Sequence, residues 1–102
     1  MGILIRIRKY DEFDHIFRYK VHGEDCGGIT FYMDIDTSEK KLKFYRNPDA
    51  TGTLSTIDLI KLNGIISDIP GVITSNMLGR VCLMGYNAFK NNDFPIAIDY
   101  AA

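Results

Sequence analysis

The sequence predicts an α+β domain in which a four-stranded antiparallel meander is followed by two helices packed on one face of the sheet. Three observations carry this expectation. Apolar residues alternate with polar ones up to Tyr45, the repeat lengthens to three and four residues after Gly52, and the links between the strand-like runs are too short for parallel crossovers. With strands first and helices afterwards, the helices are expected to cover the apolar face of the sheet. A chain of 102 residues, 46% of them hydrophobic and 25% charged, is expected to fold as one globular domain, residues 1–102, around one core.

In the first run Ile3, Ile5 and Ile7 alternate with Leu4, Arg6 and Arg8, and Asp11-Glu12 reads as the turn. The second run sets Phe17, Tyr19 and Val21 against Arg18, Lys20 and His22, and stops at the glycine-containing loop Gly23 to Gly28. A third places Ile29, Phe31, Met33 and Ile35 opposite Thr30, Tyr32, Asp34 and Asp36. After the hairpin-length link Thr37-Ser38-Glu39-Lys40, Leu42 and Phe44 face away from Lys41, Lys43 and Tyr45. Beyond the loop 47–52, Leu59, Leu62, Ile66 and Ile69 recur at helical spacing behind a cap at Ser55, and Pro70-Gly71 ends that helix. A second helix starts near Thr74-Ser75, lines up Leu78, Val81, Cys82, Gly85 and Phe89, and stops at Asn91-Asn92-Asp93 before Pro95. Gly79 and Gly85 weaken it unless a close approach to a neighbouring element requires them. Ile96-Ala97-Ile98 is open to two readings, an added strand or simple packing.

Twelve Lys and Arg against thirteen Asp and Glu leave a net charge of −1, so no global field draws the chain to nucleic acid or lipid, and any charged surface is local. No stretch approaches the ~20 apolar residues of a membrane span. Met1 to Arg6 brings charge too early for a secretory leader. Cys26 and Cys82 form no CxxC pair, which predicts free thiols and a reducing, cytoplasmic setting.

Motifs that would carry chemistry are weak. His22 and Cys26 stand four apart beside Gly27-Gly28, but the sequence offers neither an orienting group nor an oxyanion pocket, so Cys26 reads as a loop thiol and no catalytic residue is assigned. Asp34 and Asp36, with Asp11, Asp14 or His15, lack the spacing of a calcium loop and read as solvated carboxylates, leaving no metal site. Gly23, Gly27 and Gly28 do not form a phosphate loop, because the element that follows is a strand. Met77, Cys82, Met84 and Tyr86 read as core packing, with no cofactor implied. The chain is therefore expected not to be an enzyme.

Alternation collects Arg6, Arg8, Arg18, Lys20, Lys41 and Lys43 with Tyr32, Tyr45, Asp34 and Asp36 on the sheet face away from the core. Three readings fit this basic, aromatic surface: a solvated face covered by cationic stems, a protein interface, or a nucleic-acid platform without the RNP aromatic motif. Asp11, Glu12, Asp14, Glu24 and Asp25 flank the second strand and suit a basic partner, whose encounter they would accelerate.

The second half carries a resemblance. Asn47-Pro48-Asp49 after a hairpin, the helical runs, and Tyr86-Asn87-Ala88-Phe89-Lys90-Asn91-Asn92-Asp93-Phe94-Pro95 ending in Asp99-Tyr100-Ala101-Ala102 resemble small bacterial immunity proteins, the inhibitors of polymorphic and contact-dependent growth-inhibition toxins. The resemblance covers residues 29 to 102 in size, element order and texture, and transfers no functional residue. It implies a stoichiometric inhibitor, monomeric or weakly dimeric, that neutralises a cognate toxin domain, often a nuclease. On that reading the contact falls to Asp11, Glu12, Asp14, Glu24 and Asp25, or to the face bearing Tyr32, Asp34 and Tyr45. The alternative is a nucleic-acid-binding accessory domain using Arg6, Arg8, Arg18, Lys20, Lys43 and Tyr45, and a third reading is a small enzyme using His22 and Cys26.

Overall fold

In the structure, a computed structural model, residues 4–23, 28–47, 49, 55–61, 63–64 and 75–101 are described, with the backbone alone at 29, 55, 63–64 and 75–78. Four antiparallel strands follow one another where alternation places them: β1 (Leu4–Phe13), β2 (Ile16–Gly23), β3 (Ile29–Asp36) and β4 (Lys41–Tyr45). They are part of a wider sheet. Strands β5 (Ser55–Asp58) and β6 (Asn63–Gly64) extend it on one side and β7 (Ala97–Ala101) on the other, giving the order β6-β5-β4-β3-β2-β1-β7. Because β6 contributes only two residues, six strands make up nearly all of this seven-stranded antiparallel sheet.

The expected meander followed by two helices is thus corrected. Among the described residues there is one helix, α1 (Ser75–Asn91). Ser55, expected to cap a first helix, is instead the first residue of β5 and pairs with Phe44. Two patterns compete over this segment, and pairing decides between them. Ile57 and Leu59 are buried while Thr56 and Asp58 are not, which is a period-two alternation that matches the open edge of β4 and sets Ile57 opposite Leu42. Asp58 Oδ1 then accepts the Ile60 and Lys61 amides, each at 2.8 Å, and so turns the chain where a helix would have continued. Of the residues expected to form that helix, Leu62 and 65–70 lie outside the described residues.

The β1–β2 hairpin also differs from expectation. Its turn is at Asp14-His15 rather than Asp11-Glu12, and both residues have positive φ, 47° and 66°, as a two-residue type I′ turn demands. A bulge between Lys9 and Asp11 shifts the register by one residue, so the ladder continues through Asp11↔Arg18, Glu12↔Phe17 and Phe13↔Ile16. The bulge brings Phe13 to the face of the sheet opposite the core, where Tyr10 already follows Arg6 and Arg8.

The helix begins and ends as the sequence predicts. Asn92, at φ 50°, sits in the left-handed position past the last turn; its amide donates to Phe89 O at 3.2 Å and the Asp93 amide to Ala88 O at 3.1 Å, the two bonds of a Schellman cap. Val81 and Ala88 are buried against the sheet residues Ile5, Ile7, Tyr19, Val21, Phe31, Met33, Ile35, Leu42 and Phe44. Gly85 is the point of closest approach. A Cβ there would lie 2.9 Å from Leu42 Cδ2 and 3.2 Å from Met33 Sδ, whereas a Cβ at Gly79 meets no described atom within 4 Å.

The segment between α1 and β7 is pinned to the core. Phe94 stacks on Phe17 with centroids 3.7 Å apart, the Tyr19 hydroxyl donates to Pro95 O at 2.9 Å, and the Lys9 amide donates to Ile96 O at 2.8 Å. These contacts deliver β7 to the free edge of β1, where Ile98 and Tyr100 lie opposite Ile7 and Ile5. Residues 97–101 therefore form a strand, one of the two readings left open above.

Two stability predictions follow from this packing. Gly85→Ala should destabilise the fold, because overpacking of about 1–3 kcal/mol outweighs a helix-propensity gain of about 1 kcal/mol, while Gly79→Ala should stabilise it by up to about 1 kcal/mol; urea denaturation of the two variants gives opposite signs. Burial pushes the Tyr19 phenol up to about 12. The folded chain therefore keeps a proton that the unfolded chain loses near pH 10, and stability falls as pH rises from about 10 towards about 12. Tyr19→Phe should lose about 1 kcal/mol at neutral pH with its hydroxyl bond, yet show a shallower alkaline decline in urea midpoint.

Candidate binding face

With α1 on one face, the other face of the sheet carries the polar halves of the strands, arranged in rows by register. One row runs Asp11, Arg18, Asp34, Lys43 across β1 to β4; the next runs Arg8, Lys20, Tyr32, Tyr45; beyond it lie Arg6, His22 and Thr30. The central row is not a field of solvated charge. Asp34 is 1% exposed, and Arg18 grips it bidentately, Nε to Oδ1 at 2.7 Å and Nη2 to Oδ2 at 2.8 Å. The guanidinium lies near the rings of Phe13 (5.2 Å) and Tyr45 (5.4 Å). The hydrogen bond to Asp34 raises the Arg18 pKa against the opposing effect of burial. Burial, and then the charge of Asp34, raises the Tyr45 phenol.

Asp36 is buried as well. Its Oδ1 accepts the Ser38 and Glu39 amides at 3.0 and 2.8 Å, which shapes the β3–β4 turn, and Lys43 Nζ lies 3.5 Å from Oδ2. Lys43 is raised first by its bond to Glu39 and then, against burial, by the fields of Glu39 and Asp36. Asp34 and Asp36, expected to be solvated, instead neutralise the cations above them. A charge held this far from water requires a partner with well-placed hydrogen bonds, and on this face Arg18, Lys43 and the turn amides provide them.

The bulge adds Phe13, which plain alternation assigns to the core side, and Tyr10 continues the outward row of Arg6 and Arg8. Tyr10, 53% exposed, meets Tyr32 edge-on at 5.4 Å, and Phe13, 37% exposed, covers Arg18. Phe13 and Tyr45 flank Arg18, and Tyr10 and Tyr32 form an edge-on pair beside them. Sequence reasoning missed Phe13 because a bulge leaves no mark on hydrophobic periodicity, and Tyr10 because the expected first strand ends there. The second positive φ at His15 shows only once the turn is placed.

Charge is divided across the face. At the hairpin end Asp11 and Asp14 are exposed; Glu12, also exposed, lies opposite Phe17 on the core side of the sheet, where Lys9 Nζ approaches it at 3.6 Å. At the other end Arg6, Arg8, Lys20 and His22 line a shallow pocket of about 420 Å³. Its β7 border is Asp99, which accepts Arg8 Nη1 at 2.6 Å; that bond and the field of Arg6 hold its carboxyl below the usual range. His22 Nδ1 shares a hydrogen with Thr30 Oγ1 at 2.8 Å. Glu24, Asp25 and Cys26 lie outside the described residues, so the acidic loop and the His22–Cys26 pair cannot be placed. Cys82 is free, and burial pushes its thiol up to about 11, which keeps it protonated at neutral pH.

No family model, curated protein or solved structure matches the chain. Among the described residues no helix is long and apolar enough to cross a membrane, and no group of three or more His, Cys, Asp or Glu could hold a metal ion. The class established is a small α+β fold: among the described residues, a broad antiparallel sheet, a helix on its apolar face, and an opposite face that is charged and aromatic.

Arg18→Met should destabilise the fold by about 3 kcal/mol, because it leaves Asp34 buried and unpaired. Arg18→Met combined with Asp34→Leu should be less destabilised than the sum of the single changes. A double-mutant cycle in urea measures the difference; strict additivity would mean that the pair is not coupled.

Proposed function

We propose that this chain is a non-enzymatic binding protein that holds a partner protein on the open face of its sheet. The single observation that carries the reading is the patch of Tyr10, Phe13, Tyr32 and Tyr45 around the Arg18–Asp34 pair. Aromatic and arginine side chains at the centre of a surface are the residues that dominate binding energies, and here a bidentate salt bridge fixes Arg18 beside Phe13 and Tyr45 before any partner arrives. Less ordering entropy is then lost on association. The exposed carboxylates of Asp11 and Asp14 stand at the hairpin end beside the patch and would steer a cationic partner towards it, while Glu12 faces the other side of the sheet, opposite Phe17.

The resemblance to small bacterial immunity proteins gives that partner a class: a cognate toxin domain, neutralised one-to-one in the cytoplasm, whose cationic substrate cleft the acidic hairpin would meet. Tyr32 and Tyr45 contribute contact area on this reading. Asp34 acts beneath the surface, by positioning Arg18. No chemical step is assigned to the protein.

The test is co-expression with the protein encoded immediately upstream. A complex should co-purify and survive size exclusion, and Tyr10→Ala with Phe13→Ala should weaken it by about 10- to 100-fold, or some 1.4–2.8 kcal/mol, without changing the urea midpoint by more than a few tenths of a molar unit. A stable complex that is indifferent to both substitutions would show that the partner sits elsewhere. The absence of a complex with a toxin-like neighbour would remove the immunity reading.

A further inference from the structure

The sheet ends at the outer side of β7, and among the described residues no strand pairs with it there. The backbone groups on that side can be assigned. The Lys9 amide donates to Ile96 O, so the alternation of an antiparallel ladder turns the amides and carbonyls of Ile96, Ile98 and Tyr100 towards β1, and those of Ala97, Asp99 and Ala101 away from it. Proteins usually protect such an edge with a lysine, a bulge or a covering loop. β7 pairs with β1 in unbroken register instead, and its one charge, Asp99, is neutralised by Arg8 at 2.6 Å. Gly64 and Ser75, which bound the longest stretch outside the described residues, are on the far side of the sheet. Gly64 is in β6, six strand spacings or about 29 Å from β7, and α1 enters beside β5, where Gly79 shares a cleft with Ile57 and Leu59.

We propose that a second copy of this chain pairs antiparallel with β7 across a two-fold axis, joining two sheets into one. Register selects the arrangement. The fullest overlap sets Asp99 directly opposite Asp99 of the second copy, and like charges facing each other across a ladder repel. Sliding one copy by a single pleat repeat places Asp99 opposite the second copy's Ala97, and the two residues exchange both of their outward backbone hydrogen bonds. The same slide sets Ile98 opposite its own counterpart, and Ile96, 77% exposed, opposite the second copy's Tyr100. Sliding the other way pairs Asp99 with Ala101 and leaves Ile96 uncovered. On the helix side of this edge Ile98 lines a pocket of about 230 Å³ with Met84, Ala88 and Pro95. The second copy's Ile98 faces that pocket, and by symmetry each copy covers the other's. Charge is complementary as well. Arg8 is opposite the small Ala97, so Asp99 of the second copy stands in the same row and adds a field of opposite sign to the bond that Arg8 already makes.

The aromatic patch on β1 to β4 stays uncovered in this dimer, so the inference does not depend on the proposed partner, and its test uses the chain alone. Sedimentation velocity over a range of concentrations should show a monomer–dimer equilibrium. Ala97→Pro removes an outward amide that β1 does not use, once in each copy, and should weaken association by about tenfold or more. Ala101→Pro, outside the proposed ladder, should change it by no more than about twofold. Ile96→Ser should weaken it several-fold through the lost contact with Tyr100, and because Ile96 is exposed in the single chain its urea midpoint at low concentration should stay close to that of the parent. Three results overturn the proposal. A chain that stays monomeric at its highest soluble concentration would leave this edge to a strand of another protein. A dimer that survives both Ala97→Pro and Ile96→Ser would have its interface elsewhere, and Ala101→Pro acting as strongly as Ala97→Pro would exclude the register.

Discussion

The helix α1 packs on one face of this broad sheet, and the division between that face and the opposite one organises the described structure. On the covered face Gly85 lets α1 approach until Leu42 and Met33 lie against its backbone, and side chains from Ile5 to Phe44 close a continuous apolar layer. On the face opposite α1 the strands carry polar side chains, and the buried ones among them satisfy one another. The alternation in β1 to β4 is the sequence expression of that division.

How the open face meets this demand explains its character. A carboxylate as deeply buried as Asp34 would be strongly destabilising alone, and a guanidinium spread over a sheet would be mobile; together they form a fixed polar centre with aromatic walls. Asp36 does the same at the β3–β4 turn, serving two amides and Lys43. Towards the two ends of the face the side chains differ in sign, acidic at the hairpin and basic at Arg6, Arg8 and Lys20. A nearly neutral chain thereby presents two local fields of opposite sign, which its net charge of −1 conceals.

Much of this was legible residue by residue. The period-two runs placed Tyr19, Phe31, Leu42 and Phe44 inside and Arg18, Lys20 and Tyr32 outside, and Asn91-Asn92-Asp93 marked the end of α1. The candidate face was legible as a set of residues but not as a site. Nothing local distinguishes Asp34, which is buried and clasped, from Asp11, which is exposed, because the difference lies in the residue across the strand. Phe13 reaches the face only through a bulge, and Ser55–Asp58 fits a weak helix as readily as a strand until the open edge of β4 is present to pair with it.

The sequence by itself determined which side chains avoid water, where the strands of the first half alternate, and where the one described helix stops, since these depend on neighbours within a few residues. The tertiary structure alone decided that β5 is a strand, that β7 returns to β1 across some 90 residues of chain, and that Arg18 meets Asp34. Those outcomes rest on hydrogen-bond edges and cross-strand partners that do not exist until the chain has folded.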